Sequence, residues 1–407
     1  MTIQGFRNIS SENPIKEVWK LLRFFRDVEY ASKYHCDFCN ISEATYKKHK
    51  SNINKQAIQI GYCIRQAEEY FQSSSQVGLA TRPNLLYYGA VSLSQALILL
   101  KQDGTHSLDA RRKQKKHNHH GLELVGSVTD LKSTPGVEDF FNSLGCTCFI
   151  KQEKRNKVPW GHFPLFYESL VPSTTQIKSR VYNIGEAASL EYSLPRPCAD
   201  LLPIESLANN QFNLLEILKT LPDIYFNLSQ TGVPPELCQG SLYSNVKKYY
   251  KKDGKEQVEK YERKYNFALD GISKNQKNQL VSFYEQRNGI IKVEHDFGSN
   301  ILLVLKKEFF PGDEEDFGYF PDIVEDINGQ KFYILKPEDY LPEPASHLII
   351  LFCLGMLCRY YPDVWMKVID ENVQVAELTD SLLNIIYRKF PNLILDQMTG
   401  IQHYVHL

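Results

Sequence analysis

A long apolar segment in the first quarter of the chain limits the fold more strongly than any other part of the sequence. It runs from Arg82 to Leu100 and has a proline near its start, whose fixed φ and missing N–H suit the first turn of a helix. Gly89, which follows two tyrosines, would let another element approach closely. Apolar residues recur at spacings of four and three, as on one helical face: Leu86, Ala90, Leu93, Leu97 and Leu100. The segment therefore predicts a core helix.

Composition and charge narrow the class of protein. The chain has 407 residues, 43% hydrophobic residues and a formal net charge of −1, so nucleic acid could be attracted only by a local patch. The first residues lack the regions of a signal peptide, and nine cysteines in such a chain indicate reduced thiols. The longest apolar run, His347 to Cys358, is too short to span a bilayer. We therefore expect a cytoplasmic protein that does not bind a membrane.

Helical periodicity occurs at both ends of the chain. Two amphipathic segments precede the apolar one, and the pattern becomes helical again after Pro344. These segments are Pro14–Tyr30, Ile53–Phe71, Ala345–Tyr361 and Ala376–Phe390. The three N-terminal helices suffice for a small bundle.

The middle of the chain mixes strand and helix signals. Asn328-Gly329, between two β-prone runs, is a strong hairpin signal, and residues 300–307 have the composition of a strand. Residues 242–269, rich in tyrosine and lysine, have helical spacing instead.

Together these patterns predict an α+β fold that is predominantly helical. We expect an N-terminal helical bundle in residues 1–125, packed with C-terminal helices in residues 344–407. Residues 126–343 would form a mixed α/β middle lobe with a β-hairpin. Arg359, Tyr360 and Trp365 would anchor the C-terminal helices against the bundle, and a ligand- or partner-binding role is the alternative.

Several of these segments resemble the YaaC-like protein family, a family of bacterial sequences. The apolar helix opens with Arg82-Pro83 and continues to Tyr87-Tyr88, as in that family. Further similarity lies in His120-Gly121-Leu122, in the segments starting at Asn213 and Cys358, and in Lys389–Gly400. The resemblance implies a mostly helical α+β protein and does not imply a particular reaction.

A basic segment after the apolar helix suggests one activity. Arg112 and His117 have the spacing of the Arg-x(4 to 6)-His signature that HEPN ribonucleases use to cut RNA without metal, and Arg111 and His119 offer alternative pairs. A histidine transfers protons near neutral pH, and an arginine can hold a phosphate. Lys113 stands where such enzymes usually have a polar residue. The alternative is a solvated basic loop.

A second basic segment mixes lysines with tyrosines. Lys247, Lys248, Lys251 and Lys252 surround the pair Tyr249-Tyr250, a mixture that suits a phosphate backbone with bases stacked on rings. The same pattern would suit an exposed helix whose tyrosines face the core. Binding of RNA or a nucleotide is one of these two interpretations.

Cys36 and Cys39 form a CxxC pair, which alone supplies two of the four ligands that a structural zinc needs. A second CxxC or an HxxxH pattern is missing, and buried or idle thiols are the main alternative. We therefore expect no metal and no cofactor.

The start of the apolar helix and the turn at Gly121 form the last candidate site. We expect His120 to be buried against the helix, either bonding to backbone or facing a pocket with Arg82, where an arginine could bind an anion. Tyr87 and Tyr88 would line that ligand- or partner-binding site.

Common catalytic motifs, including the P-loop, GxGxxG, GxSxG and HExxH, are missing from the sequence. We therefore expect an interaction or regulatory protein that binds a protein partner, in phage defence or nucleotide metabolism. A homo-oligomer is compatible with this expectation. The alternative is a HEPN-like ribonuclease effector with Arg112, His117 and His119 as catalytic residues.

Overall fold

The fold was analysed in a computed structural model of the whole chain. The structure describes residues 3, 5–101, 107–114, 119–126, 136–153, 156–172, 174–183, 189–197, 201–208, 210–250, 258–269, 273–288, 291–296, 301–309, 323–335 and 341–406.

The chain divides into two compact units. The first unit comprises Met1–Val171, Leu201–Pro234 and Leu341–Leu407, and the second comprises Pro172–Asp200 and Pro235–Tyr340.

Helices dominate the first unit. They are α1 (Pro14–Phe24), α2 (Val28–Phe38), α3 (Glu43–Ser74), α4 (Arg82–Lys101), α5 (Leu108–Lys113), α6 (Val137–Asn142), α7 (His162–Glu168), α8 (Ile204–Leu207), α9 (Leu214–Lys219), α10 (Tyr225–Gln230), α12 (Glu343–Tyr360), α13 (Pro362–Glu371) and α14 (Val373–Thr399).

Side-chain caps fix where the first helices begin. Asn13, Asp27 and Ser42 each accept a hydrogen bond from a backbone N–H in the first turn of α1, α2 and α3, respectively. The sequence predicts a single helix over Pro14–Tyr30, but the chain turns after Phe24 and Asp27 caps a second helix. The local cap therefore divides the predicted helix.

The apolar helix α4 lies in the core, as its spacing predicts. Gly89 allows the close approach expected of it, because a Cβ there would lie 2.7 Å from the Phe71 ring of α3. Among the described residues, α4 is the one unbroken helix long and apolar enough to cross a membrane, and 72% of that stretch is buried inside the protein. Such burial is typical of a core helix.

The N-terminal and C-terminal helices pack together, which confirms the predicted fold class. Arg82 of α4 donates to Asp380 Oδ1 at 3.0 Å and to Asn384 Oδ1 at 2.7 Å, both on α14. Trp365 of α13 is buried and its Nε1 donates to the Leu79 carbonyl at 3.0 Å. The aromatic anchor predicted near the C-terminus is therefore present.

Three small sheets complete the first unit. Strand β1 (Gly5–Ser10) pairs in parallel with β15 (Ile401–His406). Strands β2 (Leu122–Val125), β3 (Gly145–Cys148) and β8 (Gln211–Asn213) form an antiparallel sheet, and β4 (Ile150–Glu153) pairs with β5 (Asn156–Pro159).

The second unit is built on one branched sheet. Its elements are β6 (Thr174–Asn183), β7 (Ser189–Pro197), β9 (Leu237–Tyr250), β10 (Val258–Leu269), α11 (Lys274–Asn288), β11 (Ile291–Asp296), β12 (Ile301–Phe309), β13 (Ile323–Glu325) and β14 (Lys331–Ile334). The long β9 pairs with β10 along one edge and with β6 and β14 along the other.

The predicted hairpin at Asn328-Gly329 is present between β13 and β14. Gly329 has φ of +78°, which glycine adopts without the steric cost of a Cβ, and Asp326 accepts from the N–H groups of Asn328 and Gln330.

The helix predicted over residues 242–269 is wrong. The segment forms the two antiparallel strands β9 and β10, with Tyr261 opposite Lys248. Tyrosine, phenylalanine and valine favour strands, and the partner strand β12 lies beyond the segment itself, so local spacing could not reveal the pairing.

Candidate binding site

Two glycines bring the candidate site together through a close backbone crossing. Gly121 has φ of +82° and Gly161 has φ of +113°, and a Cβ on Gly161 would lie 2.4 Å from Gly121 Cα. Around the crossing, the His162 N–H donates to the His119 carbonyl and the Phe163 N–H donates to the His120 carbonyl, both at 2.9 Å. The crossing therefore fixes the backbone of His119 and His120 against the start of α7.

His120 meets α4 through Tyr87. Its Nδ1 lies 2.8 Å from Tyr87 Oη, and the two ring centroids are 5.6 Å apart. The prediction that His120 is buried is wrong, because the residue is exposed. The adjoining Leu122 is buried, so the turn at Gly121 sends the leucine inward and leaves the imidazole at the surface.

Arg359 at the end of α12 completes the site. Its Nη1 donates to Tyr88 Oη at 3.0 Å and its Nε donates to the Gly355 carbonyl at 3.1 Å. The guanidinium carbon lies 5.2–5.6 Å from the ring centroids of Tyr87, Tyr88 and Tyr360. In the part of the chain that the structure describes, no carboxylate pairs with Arg359, so its charge is balanced only by tyrosine rings and neutral acceptors. We call Tyr87, Tyr88, His120, Arg359 and Tyr360 the tyrosine–arginine site.

The site is rigid on one side and accessible on the other. Tyr87 is buried and packs edge-on against Phe352, and Tyr88 stacks on Tyr70 of α3 at 5.8 Å. Tyr360, by contrast, is 63% exposed. A buried ring and a half-buried ring thus hold Arg359 in place, while an exposed ring and His120 face solvent.

The electrostatics of the site favour a neutral imidazole beside a fixed cation. Although His120 is exposed, desolvation by its neighbours lowers the pKa of its imidazole, and the nearby charges of Arg359 and His119 lower this pKa further. Burial raises the pKa of the Tyr87 hydroxyl. The site therefore presents one permanent positive charge together with neutral donors and acceptors, an arrangement suited to binding carboxylates.

The other predicted site residues lie in different surroundings. Arg82 is paired with α14, as described above. His119 is exposed and stacks on Phe149, with ring centroids 5.0 Å apart. Arg112 lies exposed on the short helix α5. Lys247 and Lys248 lie in β9, and His117, Lys251 and Lys252 lie outside the described residues.

The sequence favours a helix-anchoring role for Arg359 and Tyr360 and leaves a ligand or partner role as the alternative, because a cation and aromatics near a helix end usually pack on neighbouring helices. The signal that could have indicated a site is the repetition of an arginine with tyrosines in two segments, at Arg82 and again at Arg359, separated by nearly 280 residues. Only the fold brings the second arginine onto the tyrosines beside the first.

A second group of polar residues is buried in the first unit. Lys389 of α14 lies 2.6 Å from Asp223 Oδ2 and 2.7 Å from Glu343 Oε1, and His347 Nε2 lies 3.5 Å from the same Glu343 oxygen. Burial raises the pKa of Glu343 to about 7. Burial also lowers the pKa of His347 to about 3, and the nearby charge of Lys389 contributes a smaller part of this shift. The group is closed to solvent, so we assign it to the scaffold.

We expect acid to destabilise the first unit partly through His347. The pKa of His347 is lowered to about 3 in the folded chain, so the unfolded chain takes up the proton first and stability falls as pH drops below the unfolded pKa of about 6.5. Between pH 6.5 and 4.5 this amounts to roughly 2 kcal/mol. Urea titrations of the wild type and His347→Leu at both pH values would measure it.

The variant should lose less stability between the two pH values than the wild type. His49→Gln, at an exposed position on α3, controls for replacing a histidine. Equal pH dependence in the wild type and His347→Leu would contradict the assignment.

Comparison with known proteins identifies a sequence family. A family model described as YaaC-like protein matches residues 23–398, which is nearly the whole chain. No curated protein and no solved structure matches the chain.

Proposed function

The chain belongs to the YaaC-like family, and we propose that it works as a cytoplasmic interaction or regulatory protein that binds a protein partner through the tyrosine–arginine site. The observation that carries the proposal is Arg359, whose guanidinium lies over three tyrosine rings with no carboxylate partner among the described residues. Arginine and tyrosine are the side chains most enriched at the energetic centres of protein interfaces.

The chemistry of the site specifies the partner. A fixed cation that has no carboxylate partner among the described residues favours a ligand that supplies a carboxylate, because a charge-assisted, bidentate bond to Arg359 is stronger than its present bond to Tyr88 Oη. Tyr360 is exposed and would add apolar contact beside that bond. We therefore propose an acidic, partly apolar protein segment as the ligand.

The site is also pre-organised for binding. Arg359 is held by Tyr88 and by the Gly355 carbonyl, and Tyr87 is buried, so little side-chain freedom remains to be lost when a partner binds. The ribonuclease alternative lacks comparable support, since Arg112 is exposed on α5 and is not among the residues of this site.

We expect Tyr360→Ala to weaken partner binding about tenfold or more, the effect typical of an interface hot spot. Tagged full-length protein would be purified from its native host, and the most abundant partner identified by mass spectrometry would then be titrated against each purified variant. Tyr62→Ala is the matched control, because Tyr62 is 66% exposed on α3 and lies outside the site.

Arg359→Gln should weaken the same interaction, and the affinity of the wild type should fall as salt is added because an exposed ion pair is screened. Arg65→Gln, an exposed arginine of α3, controls for the loss of charge. Affinities that are equal in the wild type and both site variants would refute the proposal. RNA cleavage by the purified chain that depends on Arg112 would favour the ribonuclease instead.

A further inference from the structure

The first unit contains a charged groove that shares no residue with the tyrosine–arginine site. The groove has a volume of about 490 Å³ and is open to solvent. It lies between α3 and the end of α1, and it is lined by charged and amide side chains: Arg23, Arg26, Arg65, Glu68, Glu69 and Gln72. One cavity thus collects three guanidinium groups and two carboxylates. We call it the arginine groove.

The packing of α1 on α3 places these side chains together. Trp19 of α1 packs against Phe71 of α3, with ring centroids 5.5 Å apart. In the turn after α1, the Arg26 backbone lies so close to α3 that a Cβ on Gly61 would be 3.2 Å from Arg26 Cα. The groove residues of α3 recur at spacings of three and four, so they share one face of that helix. The scaffold therefore fixes both walls of the groove.

Two of the arginines contact glutamates through Nε. Arg23 Nε lies 3.2 Å from Glu68 Oε1, and Arg65 Nε lies 3.2 Å from Glu69 Oε1. In the part of the chain that the structure describes, the Nη1 and Nη2 groups of both arginines make no hydrogen bond. The glutamates thus orient the two guanidinium groups and leave their terminal N–H donors available. Both arginines are exposed, so a ligand can reach these donors.

Arg26 adds a third charge to the groove. Among the described residues its guanidinium makes no ion pair and no hydrogen bond, while its backbone N–H donates to the Arg23 carbonyl at 3.0 Å. Glu68, in contrast, accepts from Gln72 Nε2 at 3.4 Å in addition to its contact with Arg23. The groove therefore has an excess of N–H donors and one more positive than negative charge.

We propose that the arginine groove binds a small molecule that carries two or more linked phosphate groups. Ionised phosphate oxygens accept hydrogen bonds, and the planar guanidinium group binds them through paired N–H donors. The two glutamates repel anions, so a ligand gains affinity only by contacting several guanidinium groups at once. A chain of phosphates can do so, whereas a single phosphate group is too small to contact all three arginines.

Calorimetric titration of the full chain with inorganic pyrophosphate tests this assignment. At constant ionic strength the wild type should bind pyrophosphate, and Arg26→Gln should bind it about tenfold more weakly, because bonds between charged groups are lost. Arg65→Gln is a second variant that should weaken pyrophosphate binding while leaving partner binding at the tyrosine–arginine site unchanged. Arg388→Gln is the matched control, because Arg388 is exposed on α14 and does not line the groove. It should retain the affinity of the wild type.

Further titrations identify the kind of ligand. Tighter binding of adenosine diphosphate than of pyrophosphate assigns the groove to a nucleotide, and equal or weaker binding assigns it to the phosphate chain alone. Wild-type protein that does not bind pyrophosphate would overturn the proposal, as would unchanged affinity in both Arg26→Gln and Arg65→Gln or an equal loss in Arg388→Gln. Orthophosphate or succinate bound as tightly as pyrophosphate would also overturn it, because linked phosphates would then have no advantage.

Discussion

Replacing Lys389 with methionine is expected to lower the free energy of unfolding of the first unit by about 3–5 kcal/mol. The Lys389 ammonium lies between Asp223 and Glu343, and all three side chains are at most 10% exposed. Methionine fills a similar volume but leaves two carboxylates facing each other away from water. Breaking a buried ion pair from one side costs far more than replacing the whole group, since the remaining charge is uncompensated.

The loss of unfolding free energy in Lys389→Met should be smaller at acidic pH than at alkaline pH. Burial already raises the pKa of Glu343, and without Lys389 this pKa rises further in the folded chain, so the native state must bind a proton that the unfolded chain has released. A carboxyl whose folded pKa is raised favours folding below that pKa and loses this contribution as pH rises. Lys389→Met should therefore be less destabilised at pH 5 than at pH 8.

Urea unfolding followed by tryptophan fluorescence measures the effect in the relevant unit. The chain has three tryptophans, Trp19, Trp160 and Trp365, and all belong to the first unit. Lys47→Met is the matched control, because Lys47 and its partner Glu43 are both more than 70% exposed, and it should cost less than about 0.5 kcal/mol. A loss below about 1 kcal/mol in Lys389→Met would mean that the two carboxylates find other partners.

The local sequence pattern was sufficient to predict those helices and turns that are determined by residues within one segment. The spacing of Leu86, Leu93 and Leu100 predicts α4, and these residues are fully buried. Asn328-Gly329 predicts the hairpin because a tight turn depends on its own backbone conformation. Helix periodicity and turn chemistry are short-range properties, so the sequence alone reveals them.

Contacts between residues far apart in the chain could not be predicted from local sequence patterns. Asp223 and Lys389 are 166 residues apart and neither stands out in its own segment, yet they form the centre of the buried ionic group. Residues 242–269 have helical spacing, but pairing with β6 and β12 makes them strands. In both cases tertiary contacts decide the outcome over local preference.

In the candidate site, too, some residues could be identified from local motifs and others only from the fold. Tyr87, Tyr88 and His120 were identified from their motifs, and the structure brings them together. Arg359 is distinguished as a site residue only in the fold, because its special property is the lack of a carboxylate partner among the described residues. That property belongs to the folded chain and has no signature in the sequence.

Gly161→Ala is expected to destabilise the first unit by about 3 kcal/mol or more. The new Cβ would lie 2.4 Å from Gly121 Cα and 2.5 Å from Gly121 N, which are backbone atoms that cannot rotate away. The residue also has φ of +113°, a conformation costly for any side chain. Both effects act where the backbone carrying His119 and His120 crosses the start of α7.

The variant Gly232→Ala distinguishes the cost of backbone strain from the cost of a steric clash. Gly232 also has a positive φ, +85°, but nothing lies within 4 Å of a Cβ there, so this variant should cost only about 1 kcal/mol. Urea unfolding of the two variants, followed by tryptophan fluorescence, compares them directly. If the crossing can open to admit a methyl group, the two variants would lose similar stability. We expect instead that Gly161→Ala loses the larger amount and also weakens partner binding, since separating the two backbones would move His120 away from Tyr87.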